Sequence, residues 1–229
     1  MDLNSTGSSR RAVHAGWMVA IITVAVIVLD QIVKIWVKTS FYLGEDLPLT
    51  SWWHLKFIEN NGMAFGIELW SKFLLTFGRI AAVALFIWFV VRIIALANIR
   101  RGFLVAMALI IAGAAGNIFD CVFYGEIFNN PMPPAVAEMF PQGGGYSTWF
   151  EGRVVDMMYF PLFEFRWPEW MPFVGGEYFE FFQYIFNIAD ASICIGVGLL
   201  IFFYSRDFSI AIAHVGGKET ADGEKSWKK

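Results

Sequence analysis

Charged and amide side chains interrupt otherwise apolar sequence at a few places: Asp30 and Lys34, Arg79, Asn117 and Asp120, and Asn187 and Asp190. Asp156 follows Val154 and Val155 in a shorter apolar run. A charged side chain in a membrane span costs at least about 2.5–3.5 kcal/mol on insertion scales, so such residues mark function or deliberate pairing. The chemistry open to them is that of carboxylates. No His-Glu-x-x-His pattern is present to hold a catalytic zinc, and no Gly-x-Ser-x-Gly elbow presents a serine. The three histidines, His14, His54 and His214, fall outside the long apolar runs. Cys121 and Cys194 therefore lack an activating imidazole and read as small apolar packing groups. Two neighbouring carboxylates can share one proton, because like charges about 3 Å apart cannot both ionise. One then takes a proton from water while the other, protonated, polarises a carbonyl. Among the aspartates, Asp156 and Asp190 fit such a pair best. The pattern implies neither a metal nor a cofactor.

Spacing gives these residues shared faces. Asp30 and Lys34 are four apart and meet on one side of a helix, either as a neutralising pair that supports a bundle or as direct participants in binding or catalysis. Asn117 and Asp120 are three apart, as are Asn187 and Asp190. Each pair suits a polar wall facing a cavity, or interhelical hydrogen bonds worth about 0.6 kcal/mol per contact. Gly113, Ala114, Ala115 and Gly116 precede Asn117 and predict close helix packing.

The elements that must position these groups follow from composition. The 229 residues are 57% hydrophobic, 18% aromatic and 16% charged, and the mean hydropathy is +0.55. Soluble domains carry about 25% charged residues, so a typical soluble enzyme is excluded, as are a disordered chain and a fibrous repeat. A net charge of -3 argues against nucleic acid as a partner, and two cysteines are too few for a disulfide framework. A bilayer core about 30 Å thick needs roughly 20 apolar residues as helix. Four stretches qualify, about 15–37, 73–97, 103–124 and 182–204. The predicted fold is an all-α membrane protein of four transmembrane helices with a small extracytoplasmic β/loop subdomain. Arg10 and Arg11 precede the first apolar run without a cleavage pattern after it, so that run reads as a retained helix.

Lys and Arg cluster in the arm 1–14, in the turn at Arg100 and Arg101, and in the tail 206–229. The positive-inside rule then makes both termini cytoplasmic and places the loops 39–71 and 126–177 outside. With that orientation the polar groups of all four spans share one depth, near the outer face of 15–205. Residues 52–58 and 153–160 have the aromatic or alternating pattern of short strands. The proline- and glycine-rich stretch from Asn129 to Tyr146 predicts an irregular, mobile loop, and the polar tail after His214 predicts disorder. No internal repeat is visible.

Five boxes together resemble the lipoprotein signal peptidases, or type II signal peptidases. They are Asp30-Gln31-Ile32-Val33-Lys34, Asn60-Asn61-Gly62-Met63-Ala64-Phe65-Gly66, Gly113-Ala114-Ala115-Gly116-Asn117-Ile118-Phe119-Asp120, Val154-Val155-Asp156 and Phe186-Asn187-Ile188-Ala189-Asp190. They stand in the family's order across about residues 15 to 205. The resemblance implies an aspartic endopeptidase of the bacterial inner membrane that cuts prolipoproteins just before their lipid-modified cysteine. It implies Asp156 and Asp190 as the catalytic pair. Asn60, Gly62, Asn117 and Asn187 would bind substrate, with Asp30, Lys34 and Asp120 in support. It further implies membrane lipids as surroundings and inhibition by globomycin-type cyclic peptides. The family usually has arginine directly after the aspartate of the third-span box, where this chain has Cys121, and Arg153 or Arg79 are possible stand-ins. Both intervals, from Asp120 to Asp156 and from Asp156 to Asp190, are longer than the family's usual spacing. The competing reading is a small proton-coupled transporter that uses the same carboxylates as a relay. It needs polar groups continuing to the inner face, where the spans offer only Arg92 and Thr23. A scaffold subunit would leave the paired Asn-x-x-Asp boxes without a task.

Overall fold

The computed structural model describes residues 3–61, 72–96 and 99–217. In chain order the elements are α1 (Leu3–Ser40), β1 (Asp46–Pro48), β2 (His54–Asn60), α2 (Lys72–Ile93), α3 (Arg101–Ile127), β3 (Val154–Tyr159), β4 (Phe163–Arg166), β5 (Tyr178–Phe181), β6 (Ile185–Phe186), α4 (Ile188–Phe203) and α5 (Ser205–Val215). Helices α1, α2 and α3 are each long and apolar enough to cross a membrane. The fourth apolar stretch is instead a bent pair, with α4 and α5 meeting at 92°. Three spans are therefore evident among the described residues, and four if the bent pair counts as one.

One departure from the hydropathy reading concerns this last stretch. The helix begins at Ile188 rather than near residue 182, because Ile185 and Phe186 are spent as β6 beside β3. Beyond residue 204 the chain stays helical through Val215, and most of the tail predicted to be disordered lies outside the described residues. The chain turns into α5, whose Asp207 accepts from the Arg100 backbone N–H at 2.9 Å and pairs with its guanidinium at 2.6 Å.

The chain forms two compact units. The first comprises Met1–Val28, Gly78–Ala115 and Ala189–Lys229. Its core joins Val90 and Ile93 of α2, Phe103, Leu104, Met107 and Ile111 of α3, and Ala211 of α5. The small residues act here as expected. A Cβ at Gly113 would lie 2.1 Å from the Ala189 carbonyl oxygen, and one at Gly196 would lie 2.8 Å from the Ala106 carbonyl oxygen. The backbones of α3 and α4 can approach so closely only where glycine leaves the space.

The second unit comprises Leu29–Phe77 and Gly116–Ile188. Its four-stranded antiparallel sheet has the order β1-β2-β3-β6, and β4 and β5 form a separate hairpin. Alternation along β3 sends Val155 and Met157 to one face, where they join Val37, Phe41, Phe57, Tyr124 and Phe128 in a core, and leaves Asp156 on the other face. The stretch between Asn129 and Tyr146 is irregular, as its prolines predict, but it is tied back to the end of α3. Phe140 N–H donates to the Ile127 carbonyl at 2.7 Å and Tyr146 N–H to that of Phe128 at 2.9 Å. A Cβ at Gly145 would lie 2.0 Å from the Gly125 carbonyl oxygen, so glycine is what lets the loop lie against the end of α3.

Candidate active site

The second unit gathers most of the polar residues singled out by sequence into one buried network. Lys34, on the stretch of α1 that belongs to this unit, is its hub. The Lys34 ammonium pairs with Asp30 at 2.9 Å, one helical turn back, and with Asp120 of α3 at 2.7 Å. It also donates to the Asn117 side-chain oxygen at 2.8 Å. All three charged residues are 1% exposed or less. One cation thus stands between two carboxylates, an arrangement that needs further donors to compensate the second charge. Gln31 supplies one, giving its amide N–H to Asp120 at 2.8 Å, while the Tyr124 hydroxyl donates to the Gln31 oxygen at 3.0 Å. The Val155 backbone N–H adds a weaker donor to Asp120 at 3.3 Å, which joins the third-span box to β3.

The network then passes to Asp156. Asn187, fully buried and immediately ahead of α4, donates its side-chain amide to Asp156 at 2.6 Å. The same amide lies 3.2 Å from the Asn117 oxygen and 3.3 Å from the Val155 carbonyl. Asn117 is therefore shared between Lys34 and Asn187, and a continuous chain of contacts runs from Asp30 to Asp156. Asn60 ends β2 in register with Val154, so its backbone runs beside the strand that carries Asp156. Asp190 lies in the first turn of α4, three residues beyond Asn187, and is half-buried. Gly62 lies outside the described residues.

Gln31, Lys38 and Glu59, which the sequence did not mark, also belong here. Gln31 sits inside the Asp30–Lys34 box, and its amide in an apolar run was the available signal. A second cluster joins Lys38, Glu59 and Arg153. Glu59 pairs with Lys38 and, at 3.0 Å, with Arg153. The Lys38 ammonium stands 5.2–5.8 Å from the ring centres of Phe57, Phe128 and Tyr146. The Tyr146 hydroxyl accepts from the Arg153 backbone N–H at 2.6 Å, and burial raises its pKa above the ordinary phenol value. Glu59 precedes Asn60, and Arg153 leads into β3, so this cluster fixes both strand ends nearest the polar network. It also shows what Arg153 does: it serves Glu59, whereas Asp120 is met by Lys34. At the position after Asp120, Cys121 is buried, and its carbonyl accepts from the Gly152 N–H at 2.8 Å.

Among the described residues no cluster of His, Cys, Asp or Glu is arranged to hold a metal ion. The chemistry present is that of carboxylates oriented by amides and by the buried ammoniums of Lys34 and Lys38.

Comparison with known proteins shows the family. The family model described as signal peptidase (SPase) II matches residues 22–206. A lipoprotein signal peptidase of Porphyromonas gingivalis (strain ATCC 33277) is 47% identical over 205 residues, covering 90% of this chain and 89% of that protein. One from Amoebophilus asiaticus (strain 5a2) is 33% identical over 214 residues, covering 91% and 86%. A solved structure described as a bacterial membrane enzyme, determined by the in meso method at 2.3 Å resolution, shares the fold with a TM-score of 0.56 at 23% identity, over 84% of this chain and 90% of that one. With apolar helices, a small sheet and these relatives along most of its length, the chain belongs to the signal peptidase II family of membrane proteases.

Proposed function

We propose that this protein removes signal peptides from lipid-modified prolipoproteins, cutting before the diacylglyceryl-cysteine, with Asp156 and Asp190 as a pair of carboxylates that activate water. The observation that carries this reading is the 2.6 Å hydrogen bond from Asn187 to Asp156. The donor stands three residues ahead of Asp190, so one short segment both orients the first aspartate and leads to the second. In the reaction, one carboxylate of the pair takes a proton from water as the oxygen attacks the scissile carbonyl carbon. The other, protonated, gives its proton to the carbonyl oxygen, and a tetrahedral diol results. The proton taken from water then passes to the departing nitrogen as the C–N bond breaks.

Lys34, Asp30 and Asp120 hold the Asn117 side chain, and Asn117 with Asn187 frames the substrate's backbone. Asn60 contributes from the end of the outer strand, and Gly62 is the further substrate-binding residue of its box. Cyclic peptides of the globomycin type are expected to occupy the same cleft. The enzyme sits in the bacterial cytoplasmic membrane with both termini inside and the site near the outer face. No observation on the described residues favours the proton relay.

The test is processing of a lipid-modified prolipoprotein by the purified enzyme, with and without globomycin. Asp156→Asn and Asp190→Asn should each abolish cleavage while protein levels stay near normal. Wild-type rates in either variant refute the pair. Reporter fusions after Gly143 should report the outer compartment, and a cytoplasmic signal there overturns the orientation.

A further inference from the structure

In the first unit, α1, the α2–α3 turn and the start of α3 enclose a cavity of about 440 Å³. Its polar lining is entirely basic: Arg11 and His14 from α1, and Arg101 from α3. Among the described residues neither arginine has an ion-pair partner. The rest of the wall is apolar, with Met18, Ile94, Leu96 and Leu104 among its residues. The whole chain has net charge -3, so two arginines without an acid in one cavity are a local concentration of positive charge.

The neighbouring charges sharpen this. Arg100 is already committed to Asp207, at 2.6 Å from its guanidinium. The next residue, Arg101, instead lines the cavity. The His14 ring donates from Nδ1 to the Arg10 carbonyl one turn back at 2.7 Å, which fixes the ring in the cavity wall. The cavity thus joins basic groups to an apolar wall at one end of two apolar spans. A free anion would satisfy the arginines and leave the apolar wall wet. A molecule with an acidic head and a hydrocarbon chain satisfies both.

We propose that this cavity binds an acidic phospholipid. The phosphodiester sits between Arg11 and Arg101, and an acyl chain follows Met18 and Leu104 along the spans. The site is separate from the polar network around Lys34 and does not depend on the reading of the catalytic pair.

The test is lipid retention by the full-length protein in detergent micelles, read by native mass spectrometry. The probes are dioleoyl-phosphatidylglycerol, dioleoyl-phosphatidylcholine and inorganic phosphate. Wild-type protein should hold one phosphatidylglycerol about tenfold more tightly than phosphatidylcholine, and R11Q/R101Q should lose that preference while R11K/R101K keeps most of it. Ala15 also lines the cavity, so A15F narrows it without touching the charges and should lower phosphatidylglycerol retention in its own right. Equal binding of the two lipids by wild type, or an undiminished preference in R11Q/R101Q, overturns the proposal. So does full phosphatidylglycerol binding by A15F. Displacement of the lipid by millimolar inorganic phosphate would instead make this a free-anion site and overturn the lipid assignment. Neither arginine belongs to the catalytic machinery, so prolipoprotein cleavage by R11Q/R101Q in phosphatidylcholine-containing micelles should match wild type.

Discussion

Asn187 donates to Asp156 at 2.6 Å, a bond between a residue just ahead of α4 and one on a strand 31 residues earlier. It ties the last of the five sequence boxes to the fourth. A hydrogen bond to a charged group contributes about 1.5–3 kcal/mol. Asn187→Ala should therefore slow prolipoprotein cleavage by about 10- to 100-fold with little change in expression, since each 1.4 kcal/mol is a factor of ten. A cleavage rate within twofold of wild type would remove Asn187 from the positioning of Asp156.

Lys34 compensates two buried carboxylates at once. Lys34→Met should be among the most destabilising single changes, at about 3–5 kcal/mol, because it leaves Asp30 and Asp120 buried without a cation. The triple variant K34M/D30N/D120N removes the uncompensated charge and should regain part of the loss. Thermal unfolding in detergent measures both, and an unchanged midpoint in K34M would mean that the ion pairs do not hold this network together.

Glu59 and Arg153 differ in a way that ranks their variants. The Glu59 side chain is 3% exposed and that of Arg153 is 33%. Glu59→Gln leaves the Lys38 ammonium buried among aromatic rings without a counter-charge and should cost several times more stability than Arg153→Gln, whose exposed end water can serve. Midpoints of thermal unfolding for the two variants give the order, and the reverse order would show that Arg153 rather than Lys38 depends on Glu59.

The Arg100–Asp207 clamp predicts a pH dependence. Burial pushes the Asp207 carboxyl up, but hydrogen bonds from the Arg100 backbone N–H and guanidinium outweigh it and hold the carboxyl below its ordinary range. A lowered folded value means that the clamp stabilises α5 at neutral pH and is lost only as pH falls through that lowered value. Hydrogen exchange over residues 205–215 should thus stay slow at pH near 4, about the ordinary aspartate value, and quicken in stronger acid. Asp207→Asn should exchange faster than wild type at neutral pH. If wild type already loses protection between pH 6 and 5, the carboxyl is not held down by Arg100.

Much of this protein is legible without a structure because burial in lipid is a property of each stretch of chain by itself. A run of apolar residues long enough to cross a bilayer must be helical, so α1, α2 and α3 follow from composition alone. The Asp30–Lys34 contact is equally local, because four residues make one helical turn. The glycine at 113 announces a close backbone approach, though not that Ala189 is its neighbour. The same local measure runs on too far at the fourth stretch. Ile185 and Phe186 are apolar enough for a helix, yet they pair with Tyr159 and Met158 as strand. Hydropathy ranks both states alike, and only the partner strand chooses between them.

What tertiary structure alone decided is who meets whom. Lys38 and Glu59 look in sequence like an ordinary helix-end cation and a strand-end acid, and nothing in their spacing of 21 residues joins them. The sharing of Lys34 between Asp30 and Asp120, and the descent of Asn187 onto Asp156, likewise depend on which helix faces and strand ends pack together. Residue types determine that a buried charge must find a partner, because the cost of leaving it alone is too large. They do not determine which partner, because that choice is made by the packing of segments far apart in the chain.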